Sequence, residues 1–152
     1  MSSLVVKQAS IEHIDEIANL FNEYRVFYKQ MSDIGGAKQF LQERFEHRDS
    51  VIFFVVDEEA DKVVGFTQLY PSYSSVSMKR IWILNDLFVL DTYRNQGVAS
   101  RLLEQAKCYG TLTNAVRISL STAITNETAQ KLYEQKGYSK DNEFYHYSYE
   151  LR

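Results

Sequence analysis

The chain has 152 residues, 45% of them hydrophobic and 24% charged, with a formal net charge of −3. That is the size and composition of one globular domain, 1–152, and the slight acidity excludes the basic footprint of a nucleic-acid-binding protein. A single cysteine, Cys108, excludes a disulfide framework and a cysteine-based zinc site.

In chain order, Met1–Lys7 lacks the basic and apolar regions of a secretory leader. No apolar run reaches the roughly 18 residues of a membrane span. With the lone cysteine this gives the expectation of a cytoplasmic protein without membrane attachment. Leu4–Lys7 is predicted as a short strand. Ser10 is placed to cap a helix in which Ile11, Ile14, Ile17, Ala18, Phe21 and Tyr24 recur at helical spacing, running to about Gln30. Asp33 can cap a second helix carrying Phe40, Leu41 and Phe45, with Gly35-Gly36 weakening its first turn. Val51–Val56 is an unbroken β-branched and aromatic run, predicted as a strand buried on both faces and joined as a hairpin to Val63–Tyr70. Pro71–Ser77 is predicted as a serine-rich loop, and Ile81–Leu90 as the longest strand, with Trp82 inside it. Val98, Leu102, Leu103, Ala106 and Tyr109 then trace one face of a helix on which Cys108 is a partly buried filler. Val116–Leu120 is the next strand, and Asn126–Lys136 a helix capped by Asn126 and closed by a left-handed Gly137. Phe144–Leu151 alternates as a closing aromatic strand. The order implies one mixed α/β sheet.

The turn between the longest strand and the following helix carries the chemistry. Tyr93-Arg94-Asn95-Gln96-Gly97-Val98-Ala99-Ser100 places a glycine and an arginine at a helix start. Helix N-termini leave amides without partners, and the helix dipole adds positive character, which together suit a phosphate. Gly97 lets the backbone approach a ligand, and Arg94 at the rim can bond phosphate oxygen. No nucleoside-triphosphate or dinucleotide glycine motif is present. For this turn alone, a glycine that merely eases a tight bend is the plain alternative.

A second block lies one strand later: Asn126-Glu127, Ala129, Leu132-Tyr133-Glu134 and Gly137-Tyr138. With Asp86-Leu87-Phe88-Val89 and Tyr93–Ala99 before it, the chain resembles the GCN5-related N-acetyltransferase (GNAT) superfamily. The resemblance implies an acyl-CoA N-acyltransferase fold, a mixed, mostly antiparallel six- to seven-stranded sheet flanked by about four helices. It implies acetyl-CoA as co-substrate. The amides of Asn95, Gln96, Gly97, Val98, Ala99 and Ser100 would hold its diphosphate, and the backbone of Leu87, Phe88 and Val89 would pair with the pantetheine arm like an added strand. Asn126 would steady the arm and Tyr133 would stand near the sulfur. The chain departs from the common pattern at Ala99, where a second glycine is frequent, and at Asn95-Gln96.

Acetyl transfer needs an amine that has lost its proton, a polarised thioester and a protonated leaving group. Tyr133 is the candidate donor to sulfur, since a phenol is protonated at neutral pH. A core tyrosine beside Ala129 and Leu132 is the alternative. A backbone amide around Leu87-Phe88 would stabilise the oxyanion. Asp86 is the candidate base, with a structural carboxylate or proton loss to water as alternatives. Asn85 is expected on the opposite face of the strand. Polyamine acetyltransferases of the superfamily resemble Glu-Asp at this pair, so the missing carboxylate weakens a polyamine acceptor. Trp82, Tyr70 and Tyr73 flank the expected acceptor cleft, and Trp82 and Asn85 are candidate substrate contacts. His13, His47 and His146 lack metal-site spacing, so no metal is expected. The acceptor is a small amine, an amino-acid derivative, a polyamine or a lysine-bearing peptide. The aromatic run from Phe144 to Tyr149 suggests a homodimer surface. A CoA-binding sensor without catalysis is the rival function.

Overall fold

Residues 3–121 are organised around a five-stranded sheet in the computed structural model, which describes residues 3–152. Its strands are β1 (Leu4–Gln8), β2 (Val51–Asp57), β3 (Lys62–Ser74), β4 (Lys79–Val89) and β5 (Arg117–Ser119), side by side in chain order. The first four pair antiparallel, and β5 runs parallel to β4. Helices α1 (Ile14–Phe27) and α3 (Val98–Leu112) pack on the sheet, and α2 (Ile34–His47) packs against α1. Alternating strand residues feed the two faces. Phe66 meets Phe21 and Tyr24 of α1, whereas Phe53 meets Tyr109 of α3. Ile17, Leu41, Phe66 and Leu102 have no exposed surface, so each contributes about 1.5–3 kcal/mol of burial.

Local signals set the helix ends. Asp33 accepts the Gly36 amide at 2.9 Å and caps α2 as predicted. A single 3-10 turn, Ile11–His13, precedes α1, and the Ser10 amide donates to Nδ1 of His13 at 2.9 Å. Helix α1 stops at Phe27 rather than near Gln30, because Lys29 turns left-handed at φ 65°. The predicted loop at Pro71–Ser77 is shorter, since β3 continues to Ser74. Pro71 fits there because β2 is no longer alongside and the missing amide hydrogen leaves no ladder bond unmade on that edge. Cys108 is exposed rather than a partly buried filler.

Strand β4 holds a second departure from simple alternation. Trp82, Leu84, Asp86 and Phe88 are all buried, as an uninterrupted period of two would give. The register differs: Gln68 pairs with Asp86, and its neighbour Leu69 with Leu84, so Asn85 is an extra residue, a β-bulge. The bulge changes which face receives the even-numbered side chains. Trp82 lies against Tyr109 of α3, and Phe88 lies against Tyr24 and Phe27 of α1. Pairing between β4 and β5 ends at Ile83, just before the bulge. From Asn85 to Val89, β4 therefore has β3 on one edge and no strand of this unit on the other among the described residues.

Residues Thr122–Arg152 form the second unit, with one helix, α4 (Glu127–Gln135). Asn126 caps it by accepting the Ala129 amide at 3.2 Å. Gly137 at φ 94° closes it, with the Tyr138 amide donating to the Tyr133 carbonyl and the Gly137 amide to that of Glu134. That double bond pattern is a Schellman motif, which glycine favours. Phe144–Leu151, predicted as a closing strand, pairs with no strand of its own unit among the described residues, and the sheet of the first unit has five strands where six or seven were expected. A strand needs an edge to bond to, and within this unit there is none among the described residues. No helix among the described residues is long and apolar enough to cross a membrane.

Candidate functional site

Two features of the first unit meet at the end of β4. One is the open edge from Asn85 to Val89. The other is the start of α3. A single 3-10 turn, Asp91–Tyr93, leads from β4 into a left-handed Asn95 (φ 62°) and a left-handed Gly97 (φ 78°), which is the helix N-cap. Glycine offers no capping side chain, and no other side chain caps α3. The first helical bond runs from the Arg101 amide to the Gly97 carbonyl at 3.0 Å. Among the described residues nothing accepts from the amides of residues 95–100. A Cβ at Gly97 would meet nothing within 4 Å, so positive φ is what requires glycine here. Ala99 is helical with ordinary φ, so alanine is unstrained there.

The turn is held by its own side chains. Arg94 pairs with Asp91 at 2.8 Å and lies over the Phe27 ring at 5.5 Å. Such an exposed pair contributes little by itself, so the guanidinium is available to a stronger anion. The Gln96 side-chain amide donates to the Thr92 carbonyl at 3.1 Å, and the Tyr93 hydroxyl to Asp57 at 2.6 Å. Hydrogen bonds from Ser3 first and Tyr93 second hold the Asp57 carboxyl below its usual range.

Gly65 on β3 seats the helix start. A Cβ there would lie 2.7 Å from Val98 Cγ1 and 3.2 Å from the Phe88 carbonyl oxygen. A Gly65→Val variant is expected to lose about 1–3 kcal/mol of stability as the first turn of α3 is pushed off the sheet. Thermal unfolding checks this, and a melting temperature equal to that of the parent contradicts it.

Beyond the bulge, Asp86 faces α1 and is only 4% exposed. Gln68 Nε2 donates to its Oδ2 at 2.6 Å and Asn85 Nδ2 to its Oδ1 at 3.1 Å, and its charge acts on the Tyr24 phenol. No lysine, arginine or histidine pairs with it among the described residues. A buried carboxylate with neutral donors and no counter-ion favours a cationic ligand. Burial, and next the Asp86 charge, push the Tyr24 phenol well above its ordinary range. The same causes in the same order push Tyr70 up to about 12. Both remain protonated donors at neutral pH. Phe27 and Tyr28 at the end of α1 are more than half exposed, and the Phe27 ring lies tilted against Phe88 at 5.8 Å, which gives an aromatic rim beside the carboxylate.

The first unit thus brings together Asn85, Asp86, Leu87, Phe88, Val89 and the turn Arg94–Ser100. Asn85 is the bulged residue, and its amide reaches Asp86 instead of facing simply away from it. Trp82 lies on the α3 face, away from Asp86, with its indole N–H donating to Thr113 Oγ1 at 2.9 Å. Asn126 and Tyr133 stand on α4 in the second unit, where the Tyr133 ring lies 5.9 Å from that of Tyr138. Sequence reasoning did not select Tyr24 and Gln68. Gln68 carries a visible signal, an amide in the middle of the apolar run Val63–Leu69. Tyr24 carries none, since it sits at a core position of the helical repeat.

A family model described as Acetyltransferase (GNAT) family matches residues 14–138. An uncharacterized N-acetyltransferase of Bacillus subtilis (strain 168), YhfO, is 49% identical over 142 residues, 93% of this chain and 94% of that protein. The crystal structure of a probable acetyltransferase, 44% identical, superposes with a TM-score of 0.93 over 97% of this chain and 98% of that one. The aminoglycoside N-acetyltransferase AAC(6')-Iy, solved in complex with CoA, shares the fold with a TM-score of 0.82 at 17% identity, covering 98% of this chain and 96% of its own.

Proposed function

The chain belongs to the acetyltransferase (GNAT) family, and from that premise we propose that it moves the acetyl group of acetyl-CoA directly to a primary amine. The observation that carries this reading is the uncapped start of α3 beside the open edge of β4. Amides of residues 95–100, with Arg94, would hold the diphosphate, and the main chain of Leu87, Phe88 and Val89 would pair with the pantetheine arm. The bound thioester supplies the acyl group. Asn126, on α4, would hold the arm through its side-chain amide.

Asp86 would hold the acceptor. A carboxylate has about four lone-pair sites, and the two donors Gln68 and Asn85 leave room for the N–H of an incoming ammonium. The exposed rings of Phe27 and Tyr28 favour the same charge. A free alkylamine is protonated at neutral pH, so its proton must leave before attack, and Asp86 would take it. Tyr133 would then protonate the departing sulfur. The acceptor is a small-molecule amine or an exposed lysine.

Release of free thiol from acetyl-CoA, measured across polyamines, amino-acid derivatives, aminoglycosides and lysine peptides, tests the proposal. Turnover with at least one amine is expected. Tyr133→Phe is expected to lower kcat at least tenfold, about 1.4 kcal/mol of barrier, with acetyl-CoA affinity nearly unchanged. Tight acetyl-CoA binding with no acceptor turned over points instead to a sensor.

A further inference from the structure

We infer that the first unit carries a second small-molecule site, apart from the acetyl-transfer site, which takes a small aryl carboxylate. A cavity of about 540 Å³ opens between the C-terminal ends of α2 and α3, against the ends of β1, β2, β3 and β4. Small-molecule sites occupy roughly 300–1,000 Å³, so the space suffices. No residue of its lining belongs to the uncapped helix start or to the Asp86 cluster. Trp82, expected from the sequence beside the acceptor, forms part of this wall instead.

The lining has a definite chemistry. Phe45, Pro71, Trp82 and Tyr109 give it apolar and aromatic walls. Arg48 and Arg80 bring two guanidinium groups, and no carboxylate lines the cavity among the described residues. Neither arginine is paired with an acid among them. Arg80 is already oriented. Its Cζ lies 4.8 Å from the centre of the Tyr73 ring and 5.0 Å from that of Trp82, and its Nη2 donates to the Tyr73 hydroxyl at 2.9 Å. A guanidinium held this way keeps most of its donors for an anion and loses little freedom on binding one. Arg48 is the left-handed C-cap of α2 at φ 52°, a place the fold would fill most easily with glycine. Ser50 on the same wall has a buried hydroxyl without a partner among the described residues, a group that a ligand oxygen would complete.

Charge decides which anion fits. Helices α2 and α3 both end at this wall, at Arg48 and Thr113, and each helix C-terminus brings roughly half a negative charge. Those two ends offset about one of the guanidinium charges and leave about one for a ligand. A monoanion matches that remainder, and a phosphate dianion exceeds it. Carboxylate and guanidinium also meet through two parallel hydrogen bonds. The aromatic wall calls for a flat apolar body behind the carboxylate, since rings pack offset or edge-on against rings. Occupancy of this cavity does not depend on acetyl transfer.

Trp82 is the only tryptophan of the chain, so its selectively excited fluorescence reports on this cavity. Hydrocinnamate titrated into the full chain is expected to change that fluorescence saturably, with a Kd of about 0.1–1 mM. The neutral amide of the same acid is expected to bind at least about tenfold more weakly. Saturating CoA is expected to leave the hydrocinnamate affinity unaltered. In calorimetry, Arg80→Gln is expected to weaken the acid at least about tenfold, with an unchanged far-ultraviolet spectrum. Should that variant misfold, Arg48→Gln, at an exposed position, is expected to weaken it at least about threefold. No saturation by about 10 mM overturns the proposal. Equal binding of acid and amide, displacement of the acid by CoA, or parental affinity in the folded arginine variants overturns it too.

Discussion

A Gly97→Asp variant is expected to bind acetyl-CoA at least about tenfold more weakly, about 1.4 kcal/mol, while its melting temperature stays within a few degrees of the parent. Two effects oppose each other in stability and reinforce each other in binding. Asp at an N-cap accepts early helix amides and favours the dipole, gaining about 0.5–1 kcal/mol. A non-glycine residue at φ 78° loses about 1–2 kcal/mol, so the fold changes little. Toward a diphosphate both consequences are adverse: the amides acquire an internal partner and a negative charge stands beside them. Calorimetric titration with acetyl-CoA, paired with thermal unfolding, measures the two quantities separately. Unaltered affinity would remove the helix start from the binding site.

Asp86→Asn and Asp86→Ala are expected to separate charge from structure. Asn keeps the size and one acceptor oxygen but loses the charge that attracts an ammonium. Its kcat/KM for the amine is expected to fall about 100-fold, equivalent to about 2.7 kcal/mol, with the KM for acetyl-CoA changed less than about twofold. Ala strands the fully buried Gln68 amide without its acceptor, whereas Asn85 is exposed and can turn to water. An unpaired buried donor costs about 1–3 kcal/mol, so about that much stability is expected to go as well. Steady-state kinetics with both substrates varied, and denaturant unfolding, give the measurements. Equal activity of Asn and parent would make Asp86 a purely structural carboxylate.

The turn at the start of α3 was legible because its signals are local. A glycine at positive φ and an arginine one residue before a left-handed Asn95 are properties of a few adjacent residues. The caps at Asp33, Asn126 and Gly137 were legible for the same reason. The bulge was not, because it is a relation between two strands. Burial along β4 continues to alternate through Asn85, so the pattern conceals the change of face that the pairing with Gln68 and Leu69 discloses. Trp82 was accordingly expected beside the acceptor cleft, and it lies on the α3 face. Tyr24 joins Asp86 from another element altogether, and no spacing along the chain encodes that meeting. The last strand was misjudged for a related reason. Alternation records a preference for an edge, and the segment from Phe144 to Leu151 is supplied with none by its own unit.

The extra residue in β4 makes Asn85 important as a position to be counted as well as a side chain. Removing it would join Leu84 directly to Asp86 in plain alternation, so Leu84 would stay under α3, Asp86 and Phe88 would stay toward α1, and only the local kink and the Asn85–Asp86 contact would go. Gain of one further residue would instead turn the strand end over and deliver the acid to oily packing under α3. In descent, this stretch should survive the loss of that one residue better than the arrival of another.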